Sequence, residues 1–179
     1  MSNIQGTPDN LNHLREKNFK GQLTVSRLPT INFFTTTMTM PGFTVGEIPR
    51  RGLNKNMPEP TNSLEKDPLT VQFIIDEDMK NWLEIYDWMI GMTFPDSFRT
   101  SRDWIESQEG ALGEYHPYKS MLRVVALKNS MHTNIAFDYH NAFPIALDGF
   151  DFTAAGSDEA IVATVTFVYS HMTFTRLGS

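Results

Sequence analysis

Asp67-Pro-Leu-Thr-Val-Gln-Phe-Ile-Ile-Asp-Glu-Asp-Met-Lys-Asn-Trp-Leu-Glu-Ile-Tyr-Asp-Trp-Met-Ile-Gly91 decides the fold, because within it the apolar period changes from two to about 3.6 residues. In the first half Leu69, Val71, Phe73 and Ile75 fall on one face and Thr70, Gln72 and Ile74 on the other, the pattern of a strand with one well-buried side. Pro68 suits its first position, having no N–H to give a ladder. From Met79 the apolar set is Met79, Trp82, Leu83, Tyr86, Met89 and Ile90, with Lys80, Asn81, Glu84 and Asp87 opposite, and Ile85 and Trp88 widen the stripe. That spacing predicts a helix over 78–90 lying on the sheet, with Met79, Trp82, Leu83 and Tyr86 as its structural core. Asp76 or Asp78 is expected to cap the first turn, and Gly91 to end the helix in a left-handed conformation.

Outward from this junction, 179 residues with 40% hydrophobic and 20% charged side chains make one soluble domain with a real core. The chain has no cysteine, so disulfides, zinc–thiolate sites and thiol nucleophiles are excluded. There is no apolar leader and no run of about 18 apolar residues, so neither a cleaved signal nor a membrane anchor is expected, and the product reads as intracellular. The net charge of −6 is the wrong sign for gripping nucleic-acid phosphates over a broad surface.

Residues 1–20 read as a polar N-terminal arm and 21–175 as a single β domain. Strands are expected over 22–28, 31–40 and at Phe43, Val45 and Ile48, with Met40-Pro41-Gly42 as a turn. Residues 50–66 lack periodicity and read as a long inter-strand loop, in which Leu53, Met57 and Leu64 give a docked loop something to bury. Residues 92–118 read as an irregular insertion holding Phe98 and Trp104. Strands follow over 120–128, with both faces covered, 132–140, 143–152 and 161–175. The outline is mainly β, a sandwich or barrel closed on one side by a single helix.

No catalytic constellation stands out. His132, Asp138 and His140 share one strand face, but the outer two lie roughly 26 Å apart on an extended strand and cannot share an ion. Asp76, Glu77 and Asp78 have a capping task rather than the convergent geometry of general acid–base catalysis. The glycines match no dinucleotide or phosphate loop, and no serine sits in a nucleophile elbow.

Three blocks in order, Leu28-Pro29 with Met40-Pro41-Gly42-Phe43, then Asp67 to Met89, then Ala142-Phe-Pro-Ile-Ala-Leu-Asp-Gly-Phe-Asp-Phe152 with Glu159 to Tyr169, make the chain resemble the tail tube proteins of contractile-tailed bacteriophages. The resemblance implies a β-sandwich or barrel-like tail-tube fold of about eight strands with one flanking helix. It further implies a structural subunit, not an enzyme, that assembles as stacked hexameric rings forming the conduit for genome ejection, with no cofactor or metal. Its partners would be its own copies, the tail sheath and the baseplate, with DNA passing through the lumen without specific binding. The protein would be built in the host cytoplasm and reside in the virion tail. The family's inter-ring loop falls on 50–66, which assigns that contact to Arg50, Arg51, Leu53, Lys55, Met57 and Leu64. Six chains of −6 would give a ring of −36, a wall that repels DNA phosphates. The 92–118 insertion and the polar arm depart from the family pattern. They leave open a tube-initiating or baseplate-hub relative of the same fold and, from another class, a small β-fold binding module or hydrolase.

Overall fold

A computed structural model describes residues 19–20, 28, 35–51, 55–93, 118–130, 132–152 and 159–177. Most of the expected polar arm, the strand over 22–28 except Leu28, and most of the 92–118 insertion lie outside the described residues. The elements in chain order are β1 (Phe19–Lys20), β2 (Thr35–Thr39), β3 (Phe43–Arg51), β4 (Asn56–Lys66), β5 (Leu69–Ile74), α1 (Lys80–Met92), β6 (Ser120–Leu127), β7 (Thr133–Leu147), β8 (Val162–Val168) and β9 (His171–Arg176). Among the described residues the protein is mainly β with one helix, as its alternations require.

β5 forms where the period of two placed it. Leu69, Val71 and Phe73 are fully buried, and β5 pairs antiparallel with β2 on one side and β8 on the other. β8 answers it with Ala163, Val165 and Phe167, every second residue buried. The strand order is β1-β6-β7-β8-β5-β2, with β9 also on β7, and β3 and β4 form a separate two-stranded sheet.

The sheet curls around one long antiparallel pair. β7 runs for 15 residues where the sequence suggested two strands, and β8 with β9 replaces the single strand expected over 161–175. Phe143 faces Val168 and His140 faces His171, so the register continues unbroken across the gap between β8 and β9. At that level Asn141 takes a positive φ of 55°, which asparagine tolerates better than most residues, and the Ser170 N–H donates to the His140 carbonyl at 2.9 Å. The bend lets β6 pair with the first half of β7 while β5 pairs with β8 beyond the other end.

One core results, joining Leu69, Val71, Phe73, Val165 and Phe167 to Leu122, Val124 and Tyr139, and to Ile85 and Trp88 from the helix. Val125, Leu127 and Ala136 make a smaller cluster, which covers the second face of β6 only toward its end, while Met121 on that same face is exposed, so the strand expected to be covered on both faces is covered on one and part of the other.

The helix meets this core through a different face from the expected one. Its buried residues are Asn81, Ile85, Trp88 and Gly91, whereas Leu83 and Tyr86 are exposed and Met79 and Trp82 half-buried. Asn81 sets the rotation. Its Nδ2 donates to the Ile74 carbonyl at 2.7 Å and its backbone N–H donates to Asp76 Oδ1 at 3.1 Å. Asp76 thus supplies the cap, from across the tight turn at Met79, while Asp78 bonds Lys80 at 2.6 Å. Gly91 lies inside the last turn, and the helix ends at Thr93, whose Oγ1 donates to the Met89 and Ile90 carbonyls.

Candidate assembly surface

Residues 50–66, expected as a loop, belong to a hairpin arm. β3 and β4 pair from Phe43 opposite Lys66 out to Arg51 opposite Asn56, and nearly every residue is exposed on both faces. With no core beneath it, the arm had no alternation to read. Its prolines also argued against strand, yet Pro49 stands opposite Pro58, and each strand of an isolated pair has an outer side that needs no N–H.

Two glycines shape the arm. The register shifts between Val45 and Glu47, and a Cβ at Gly46 would lie 2.6 Å from Thr61 Oγ1 and 2.8 Å from Ser63 Oγ. Thr61 Oγ1 instead donates to the Gly46 carbonyl at 3.0 Å. At the base, a Cβ at Gly42 would lie 2.7 Å from Asp67 Oδ2, and the Asp67 N–H donates to the Gly42 carbonyl. Lys66 Nζ donates to the Ser170 carbonyl and stands 6.0 Å from the Tyr169 ring, tying the arm to the β8–β9 bend.

The structure brings most of the sequence-derived contact residues together on this arm. Arg50 faces Met57 and bonds Glu59 at 2.6 Å, and Ile48 shares that face. Leu64 faces Val45 nearer the base. Ile48, Met57, Val45 and Leu64 are all more than half exposed. Arg51 and Lys55 stand at the outer end, and Leu53 lies outside the described residues.

A second exposed surface was not foreseen. Trp82 and Tyr86 stack at 5.4 Å, Phe150 meets Trp82 edge-on at 5.7 Å, and Phe152 meets Phe150 at 5.2 Å. Trp82 Nε1 donates to the Asp148 carbonyl at 3.4 Å, and Phe152 is 77% exposed. The alternation Phe150-Asp151-Phe152 was the readable signal for it. β2 and β9 lie at the margins of the sheet, with no strand on their outer sides among the described residues.

Among the described residues, the titratable groups with displaced pKa values are held by contacts within the fold. Arg123 and Asp138 face each other across β6 and β7 in a two-pronged bond of 2.6 and 3.0 Å, which holds the guanidinium further above its usual range. The Lys80 ammonium, through its hydrogen bond and charge, holds the Asp78 carboxyl below the usual range. Burial, reinforced by the neighbouring Tyr169, pushes the Tyr139 hydroxyl well above a normal phenol. Of the histidines weighed as ligands, His140 stacks on His171 at 4.3 Å and bonds Thr173 Oγ1 at 2.9 Å, and Asp138 is taken by Arg123. Among the described residues no three potential ligands gather around one point.

The profile of the phage tail tube protein family matches residues 4–175, nearly the whole chain. The chain belongs to that family. It is 26% identical over 144 residues to the tail tube terminator protein of Enterobacteria phage T4, covering 80% of this chain and 70% of that one. The tube-terminating cap of the anti-feeding prophage shares the fold, with a TM-score of 0.56 and 15% identity over 98% of this chain and 99% of that one. This phage tail tube family member therefore has a tail-tube-related structural role.

Proposed function

We propose that the chain is the terminator of a contractile-tail tube, a hexameric ring that seats on the last tube ring and continues its lumen. The arm carries this reading. A hairpin exposed on both faces, with four large apolar side chains more than half exposed, is costly for a solitary monomer and natural for a subunit whose neighbour covers it. β2 and β9 supply margins along which copies can join into a closed inner barrel, the general way of removing edges that would recruit strands without control. The acidic composition suits a lumen that passes DNA without binding it.

The phage T4 relative and the prophage cap favour a terminator over the repeated tube subunit, or a tube-initiating ring, suggested by the sequence alone. The ring would contact the tube on one side and sheath components on its rim. Electron microscopy of the purified protein at rising concentration tests this: a terminator stops at single six-fold rings. Long stacked tubes would make it the repeated subunit.

A further inference from the structure

The bend between β8 and β9 joins three parts of the fold, and two histidines lie on it. We propose that the stacked pair His140 and His171 is an acid-sensitive clasp, which opens when both rings carry a proton and so loosens the start of β9 and the base of the arm together. The clasp belongs to the single chain and does not depend on the ring reading above.

His140 and His171 are cross-strand partners in the β7–β9 ladder, and their rings stack with centroids 4.3 Å apart and planes 7° from parallel. The core takes Tyr139 and Met172 of the same two strands, so the histidines lie on the opposite face. His171 is exposed and His140 half-buried, and protons reach both. Imidazole is the side chain whose ordinary titration falls between about pH 5 and 8. Uncharged rings attract as an aromatic pair, whereas two charged ones repel at contact distance, and like charges directly opposite in a strand pair are destabilising.

The surroundings do not offset that repulsion. Among β6, β7 and β9 the one carboxylate is Asp138, and Arg123 holds both its oxygens. β9 adds Thr173, whose hydroxyl bonds His140 Nε2 at 2.9 Å, and Arg176, at the far end opposite Ile135. The arm adds the Lys66 ammonium on the Ser170 carbonyl, a further positive charge, and Asp67, whose charge acts on the Tyr169 hydroxyl.

Ser170 carries the opening to the arm. Its N–H donates to the His140 carbonyl at 2.9 Å, and its carbonyl accepts from Lys66 Nζ. Displacing His171 therefore moves Ser170 and the bond that ties the arm to the bend.

Hydrogen exchange of the full chain at about pH 7.5 and about pH 5, expressed as protection relative to the intrinsic rate at each pH, tests the clasp. Protection of the β9 amides and of those at the arm's base should fall several-fold on acidification while that of β5 holds, and about 1 M salt should reduce the fall. His171→Phe keeps a ring and His171→Asn a polar group, and neither can take the charge, so both should abolish the fall. In Lys66→Met the β9 amides should still respond to acid while those of the arm do not. No fall in the unsubstituted chain, or the same fall in both His171 variants, overturns the clasp. Arm amides that follow the acid without Lys66 overturn the coupling through Ser170.

Discussion

The side-chain amide of Asn81 donates to the carbonyl of Ile74 at 2.7 Å, fastening the start of α1 to the end of β5. Asn81 is fully buried, and its Oδ1 also accepts from the Asp76 N–H at 3.4 Å. Asn81→Ala would strand these buried groups, at a cost of about 1–3 kcal/mol. Asn81→Asp should cost more, because a carboxylate repels both the Ile74 carbonyl and the Asp76 carboxylate. Denaturant unfolding of the two variants checks the order.

The rotation imposed by Asn81 has a second consequence. Trp88 is 2% exposed, packs on Phe167 with centroids 6.1 Å apart and donates to the Tyr118 carbonyl at 3.0 Å, whereas Leu83 is 42% exposed. Trp88→Ala should therefore cost about 3–5 kcal/mol, the range for emptying a large aromatic core site. Leu83→Ala should cost less than about 1 kcal/mol. Equal losses in thermal melts would contradict the observed helix face.

Gly46→Val separates folding from assembly. The added Cβ meets Thr61 Oγ1 and Ser63 Oγ, so the arm must shift. Among the described residues no arm side chain joins the main core, so the melting temperature should hold while oligomerisation falls. Melting curves and light scattering on one preparation measure both.

Tyr139 predicts alkaline sensitivity. Its ring is buried, its hydroxyl donates to Met40 Sδ at 3.4 Å, and burial raises its folded pKa above the unfolded value. The stability it contributes is fully present below the unfolded tyrosine pKa of about 10 and is lost as pH rises toward the higher folded value. Tyr169 is shifted in the same direction by burial. The melting temperature should thus fall above about pH 10, and Tyr139→Phe should flatten that fall. Melts across alkaline pH, with phenolate absorbance followed in parallel, check it.

Legibility in the sequence followed the core. β5, β6 and α1 were readable because their periods record a buried side. The helix face was misjudged because Asn81 counts as polar in any pattern, and no period reveals that its amide is satisfied inside. Pro144 suggested a break in β7, yet it stands opposite Phe167 within the ladder beside a register shift. No glycine or proline marks the gap at Tyr169–Ser170, so β8 and β9 read as one. The arm was illegible as strand because solvent lies on both faces. Its contact residues came from the family resemblance, and the aromatic surface was overlooked because its rings come from separate elements.

If the chain acts as an assembled ring, its mass in solution shows it. Light scattering at high protein concentration should give a particle near six times 20.4 kDa, with six-fold rings in the same sample by electron microscopy. A particle that stays at 20.4 kDa at every concentration would contradict the account.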